Sequence, residues 1–302
     1  MYTIIFMGTP DFGVPALQAL IADPRFSVVH VFSQPDRPQG RKQEMTPTPI
    51  KQVALTNAIP VSQPERLRNE ENVDLIRALA PDFIVVVAYG RIIPKSILDI
   101  PRFGCINIHG SLLPKYRGAS PIQASLLHGE KITGISLMLL SEGMDEGPVL
   151  RMIEVPVTSE TTSETLFDEL SILGAKALPD TLVELAEGKI TPVEQDHTRA
   201  SSCGKITKEM GEIDFDKEDA QSIYQKWQAF TPWPGIYTLI EGKRIKFHKI
   251  ALCEDHFPIG TFSVTNKRLF IGTTSGSLEI LELQEEGKKH ITAKEYIAGM
   301  RL

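Results

Sequence analysis

"ENVDLIRALAPDFIVVVAYG", residues 71–90, decides the fold. Its first half reads as a helix. After Pro81, residues 83–88 form an unbroken, β-branched apolar run that leaves neither face of a strand open to water. Such strands belong in a parallel sheet covered by helices on both sides. Working outward, "YTIIFM" (2–7), "FSVVHVFS" (26–33), "GCINIH" (104–109), "ITGISLMLL" (132–140) and "PVLRMIEVPV" (148–157) read as further strands. "VPALQALIA" follows the first strand as a helix. Ser120, Pro121 and Gly129 punctuate the two ends of another. Thr161 and Glu164 have capping-box spacing ahead of a longer helix, in which Pro179 is expected to cause a kink or break.

After Gly188 the text turns polar and weakly periodic, and beyond it short alternating segments with Gly-containing turns suggest a small antiparallel barrel. The expected architecture is α/β: a Rossmann-like, mostly parallel sheet with helices on both faces, plus a small C-terminal OB-like antiparallel β-barrel. The expected division is a catalytic domain over 1–189, a linker over 190–206 and the barrel over 207–302.

A chain of 302 residues, 42% hydrophobic and 23% charged, can bury the cores of two domains. No apolar run approaches the roughly 20 residues of a membrane span, and "MYTIIFMGTPD" lacks the basic start of a secretory leader. A cytoplasmic protein with no membrane contact is expected. Cys105, Cys203 and Cys253 show no CxxC or Cys/His spacing, which argues against a disulfide framework and a zinc site. The histidines are scattered, so no metal is expected. A net charge of −6 excludes a surface that clings everywhere to nucleic acid. The acidic excess lies in residues 1–200, whereas 201–302 hold acids and bases in equal number.

The turn "GTPDFG" (8–13) matches neither GxGxxG nor GxxxxGK[ST], and reads as a plain strand-to-helix turn. The chemistry lies in "CINIHGSLLPKYRGASP" (105–121). Side chains alternate along a strand, so Asn107 and His109 share one face while Ile106 and Ile108 take the other. Cys105 shares the polar face but lies about 13 Å from His109 at strand rise, too far for a thiolate–imidazole pair. His109 ends its strand, where ligands of open α/β sheets collect. Ser111, Leu112, Leu113 and Pro114 then offer backbone polar groups, a hydroxyl and apolar walls, the composition of a small-molecule pocket. A working imidazole also needs a carboxylate. "SEGMDEG" (141–147) offers Asp145, with Glu142 and Glu146 as competitors. "HGSLL" is not the GxSxG elbow of a serine hydrolase.

At these residues the chain resembles the 10-formyltetrahydrofolate-dependent formyltransferases, and within them the methionyl-tRNA formyltransferase family. The segments that carry the resemblance are "GTPDFGVPAL" (8–17), "SQPDRPQGR" (33–41), "VVVAYG" (85–90), "GCINIHGSLLPKYRGASPIQ" (104–123), "GMDEGPVL" (143–150) and "TPWPG" (231–235). The resemblance implies transfer of a formyl group from 10-formyltetrahydrofolate to the α-amino group of methionine on initiator Met-tRNA. It implies Asn107, protonated His109 and Asp145 as the catalytic trio, with the oxyanion held by the first two. Folate contacts would come from Ser111 to Pro114 and from Val87, Tyr89 and Leu139. Candidate tRNA contacts are Arg41 and Lys42 in the basic stretch 35–51, Lys205 in the linker, Lys208 just beyond it, and Lys246 on a barrel strand. In that basic stretch the chain departs from the family, because Gln43 and Glu44 cut short the usual run of cations. A monomer is expected, with no DNA partner. The alternatives are a formyltransferase acting on a nucleotide-linked amino sugar, a formyltetrahydrofolate hydrolase and a non-catalytic RNA-binding module.

Overall fold

The computed structural model describes residues 1–39, 44–240 and 242–299. Its main elements in chain order are β1 (Tyr2–Gly8), α1 (Val14–Ala22), β2 (Phe26–Phe32), α2 (Pro49–Thr56), β3 (Val61–Ser62), α3 (Glu70–Leu79), β4 (Phe83–Val87), β5 (Cys105–His109), α4 (Pro121–Leu127), β6 (Ile132–Leu139), β7 (Val149–Pro156) and α5 (Ser163–Ala186). There follow α6 (Ala220–Phe230), β8 (Ile236–Ile240), β9 (Lys243–Cys253), β10 (Phe262–Thr265), β11 (Arg268–Gly272), β12 (Ser277–Glu285), β13 (Ile291–Thr292) and α7 (Ala293–Gly299). The chain packs as two compact units. One comprises Met1–Pro121, Ile132–Pro156 and Phe167–Cys203; the other comprises Ile122–Lys131, Val157–Leu166 and Gly204–Leu302.

The first unit is built on a seven-stranded sheet in the order β7-β6-β5-β4-β1-β2-β3. Strands β1 to β5 run parallel, and β6 alone runs against its neighbours β5 and β7. The strand order reverses at β1 and β4, where Gly8 pairs with Val87, so the carboxyl ends there form the crevice in which such sheets take ligands. Strand β4 is buried along its whole length, as its unbroken apolar run requires. Helix α3 packs Val73 and Ile76 against Ile5, Met7, Ile84, Val86 and Cys105 on one face. Helix α5 covers the other face, where a side chain at Gly174 would collide with Ile108 and Ile135.

Pro179 does not break α5, which runs as one helix from Ser163 to Ala186. An interior proline costs about 3 kcal/mol. Burying each of Leu170, Leu178 and Leu182 completely stabilises by about 1.5–3 kcal/mol, and the packing wins. The cap of α5 also lies one residue later than its spacing suggested: Thr162 Oγ1 accepts from Thr165 N at 3.3 Å, and Thr165 Oγ1 accepts from Thr162 N at 3.0 Å.

The second unit carries a six-stranded antiparallel sheet in the order β8-β9-β12-β11-β10, with β13 added to β12. Helix α6 is fastened to it by Trp227 Nε1, which donates to His248 O at 2.9 Å. Among the described residues no helix is long and apolar enough to cross a membrane.

Candidate active site

Asn107 lies level with Val86 in β4, so it and His109 project to the α3 face, while Ile108 turns to α5. The loop after β6 leaves beside Cys105, whose carbonyl accepts from Leu140 N at 2.8 Å. That is the opposite end of β5 from His109. Asp145 nevertheless reaches back along the strand: Asn107 Nδ2 donates to its Oδ1 at 3.4 Å, and its Oδ2 stands 3.7 Å from His109 Nδ1. Gly118 N donates to the same Oδ2 at 2.8 Å. The structure thus brings Asn107, His109 and Asp145 together. Glu146 turns instead toward Arg117, at 3.5 Å, and Glu142 toward Lys95, at 3.5 Å.

The ring of His109 has one fixed nitrogen and one free to change. Nε2 lies 2.9 Å from Tyr116 O, and a carbonyl only accepts, so Nε2 carries the hydrogen. Proton traffic is left to Nδ1, the nitrogen beside Asp145. Burial pushes the pKa of His109 below its ordinary value, against the opposing pull of the Asp145 charge and the Tyr116 hydrogen bond. The depressed pKa favours the neutral ring, with its lone pair at Nδ1. Cys105, on the same face, is inert, because burial pushes its thiol up to about 12.

The chain belongs to the formyl transferase family. Its residues 2–182 match the formyl transferase model and residues 205–301 the model of the formyl transferase C-terminal domain. It is 44% identical to the methionyl-tRNA formyltransferase of Geobacter sulfurreducens, covering 99% of this chain and 94% of that one. To the methionyl-tRNA formyltransferase of Caldicellulosiruptor saccharolyticus it is 41% identical, over 99% and 97%. Among solved structures, the sugar 3N-formyltransferase WlaRD aligns with a TM-score of 0.68 at 19% identity, over 96% of this chain and 99% of that one. HypX of Aquifex aeolicus, solved with tetrahydrofolic acid, aligns with a TM-score of 0.62 at 17% identity, over 99% of this chain. The chain spans about half of HypX, 47% of its length.

In this formyl transferase the turn of residues 111–114 is tied down from behind. Ser136 Oγ donates to Ser111 O at 2.7 Å and accepts from Leu113 N at 3.1 Å, while Ser111 Oγ donates to Lys115 O at 2.6 Å. Leu113 is buried against Met138 and Val149; Leu112 and Pro114 keep partial exposure. The other folate candidates stand at or just beyond the carboxyl ends of β4 and β6. Val87 points to the opposite face, against Gly13 and Ile50. Tyr89 is buried among the α3-face residues, its phenol pushed up to about 12 by burial, and its carbonyl accepts from Thr9 Oγ1 at 3.1 Å and Gln34 Nε2 at 3.0 Å. Leu139 ends β6 across from Ile106.

Of the tRNA candidates, Arg41 and Lys42 lie outside the described residues. Lys205 is exposed. Lys208 and Lys246 line one cleft of about 340 Å³ with Trp233, Tyr237 and Arg244, opposed by Glu285 and Glu286. Lys51, in the basic stretch, is held by Asp36 at 2.5 Å and Gln63 at 2.7 Å. The sequence reading missed Arg117 and Gln195. Arg117 stands inside the quoted stretch, but nothing in the polar text around Gln195 marks it out.

Proposed function

We infer that the protein transfers the formyl group of 10-formyltetrahydrofolate to the α-amino group of methionine on initiator Met-tRNA. One observation supports this above the rest: an amide, a neutral imidazole and a carboxylate meet beside one strand, within 3.4 and 3.7 Å of each other through Asp145. The donor set fits a formyl carrier, since it offers one N–H donor, one base and one anion and asks for no covalent attachment. Bound there, 10-formyltetrahydrofolate supplies an electrophilic carbon and a nitrogen leaving group.

Asn107 has two N–H groups; one addresses Asp145 and the other donates to the formyl oxygen as negative charge gathers on it. His109 accepts the proton of the attacking amine at Nδ1. Asp145 stabilises the imidazolium so formed, which then returns that proton to the departing folate nitrogen. A preorganised donor contributes about 10²–10³ in rate and a positioned base about 10²–10⁴. Residues 111–114 line the folate side. In the same reading residues 1–189 carry the chemistry, 190–206 link, and 207–302 take the tRNA through Lys208 and Lys246, with Lys205, Arg41 and Lys42 adding phosphate contacts. The protein acts as a cytoplasmic monomer without a DNA partner.

The test offers purified protein 10-formyltetrahydrofolate with initiator Met-tRNA, a nucleotide-linked amino sugar, or water alone. Formyl-methionyl-tRNA is the expected product. Formylation of the sugar, or release of formate at the same rate without tRNA, refutes the reading.

A further inference from the structure

Asp145 is not a residue that reaches its position by default. Its φ is +53°, in the left-handed region that residues with a Cβ seldom enter, although Asp tolerates it better than most. It is held from 50 positions further along the chain. Gln195 Nε2 donates to Asp145 O at 2.8 Å and to Gly147 O at 2.7 Å, gripping the loop on both sides of its turn. The amide cannot face the other way, because its Oε1 accepts from Arg117 Nε at 3.1 Å and from Nη2 at 2.8 Å, and a guanidinium only donates. Both residues are buried, each 7% exposed. Arg117 is fixed in turn by Glu146 at 3.5 Å and by His197 Nδ1 at 3.3 Å.

The same stretch of chain also fixes the carbonyl that holds His109. Ser201 Oγ accepts from Tyr116 N at 3.0 Å, and Cys203 Sγ donates to Tyr116 O at 3.4 Å. Ser202 and Cys203 pair in parallel with Arg117 and Gly118, and Val193 pairs with Val149 at 2.8 and 2.9 Å. Gly118 must be glycine here: a Cβ would lie 2.2 Å from Cys203 O. Residues 193–203 therefore form a strap that touches the backbone supports of both Asp145 and His109.

We propose that Gln195, oriented by Arg117, is a positioning residue for formyl transfer that keeps the Asp145 carboxylate beside His109 Nδ1. The proposal rests on the reading of Asn107, His109 and Asp145 as the reacting trio. Two variants separate its parts. Gln195→Leu removes both donors and leaves Arg117 facing an apolar group. Gln195→Glu keeps the oxygen that Arg117 needs but turns a second oxygen toward the carbonyls of Asp145 and Gly147, so it releases the loop while sparing the rest of the packing. A displacement of about 1 Å at a reacting group costs on the order of 10²-fold.

In both variants kcat is expected to fall about 10- to 100-fold, with KM for folate and tRNA within about twofold of wild type, the split that misplacement rather than lost binding produces. A second readout needs no turnover. In 15N-histidine-labelled protein, assigned with His109→Asn, a pH titration of the Nδ1 resonance of His109 is expected to show a midpoint below that of wild type, because the carboxylate charge that opposes the effect of burial has moved away. A kcat within twofold of wild type, or an unmoved midpoint of that titration, overturns the proposal. If Gln195→Leu does not fold, Gln195→Glu carries both measurements. Should the wild-type enzyme fail to formylate Met-tRNA, the reading of function fails, and the titration still decides whether Gln195 places Asp145.

Discussion

His109 is the residue on which pH acts. Its Nε2 is committed to Tyr116 O, and burial depresses its pKa, which favours the neutral ring with a lone pair at Nδ1, the form the proposed transfer uses. The activity kcat/KM should rise with pH and level off, with the acid limb below the ordinary histidine value of about 6.5; a limb centred above that value, measured with saturating tRNA, contradicts a depressed base. Stability follows the same sign. As pH falls past the ordinary histidine value, the unfolded chain takes up a proton that the buried ring resists, so the folded state loses ground. Chemical denaturation near pH 7 and pH 5.5 should therefore show a smaller loss in His109→Asn than in wild type. His109→Ala and Asp145→Asn should each lower kcat by about 10²–10⁴-fold with folate affinity within about twofold, read by single-turnover kinetics and equilibrium titration.

At the scale of elements, the site depends on what stands behind the strands that carry it. Ser136 is fully buried on β6 and serves both Ser111 O and Leu113 N. Ser136→Ala leaves those groups unpaired, at about 1–3 kcal/mol, and should raise KM for folate more than it lowers kcat. On the far side of β5, Gly174 lets α5 approach Ile108 and Ile135. Gly174→Val should cost about 1–3 kcal/mol in urea unfolding through overpacking; an unchanged midpoint would mean the helix stands further off. Strands β1, β2, β4 and β5 were legible in the sequence to within a residue, because their burial is written as local apolar runs. Asn107 and His109 were legible for the same reason, as polar interruptions of one run. What was not legible depends on distant partners. Pro179 stays inside α5 because of leucines packed in three dimensions, and Gln195 matters through carbonyls 48 and 50 positions away. The burial of His109 was not legible either, because alternation reports which face a side chain takes, not how dry that face is.

For the whole molecule, the uneven distribution of charge is the property to test. The chain carries −6 overall, yet Lys208, Arg244 and Lys246 converge on one cleft with Trp233 and Tyr237. If the proposed tRNA path runs through this cleft, phosphate contacts there would release counterions, so log(kcat/KM) for tRNA should fall linearly with log salt, and Lys208→Ala or Lys246→Ala should each flatten the slope by about 0.7–0.9. A slope that neither change alters removes the cleft from the tRNA path. The strap of residues 193–203 has a practical corollary for anyone exchanging C-terminal halves between relatives. A graft joined near residue 189 imports a foreign sequence into the scaffolding of the reaction centre, whereas one joined after Cys203 leaves the native brace of Asp145 intact; the second kind of hybrid should retain its turnover even when its choice of acceptor changes.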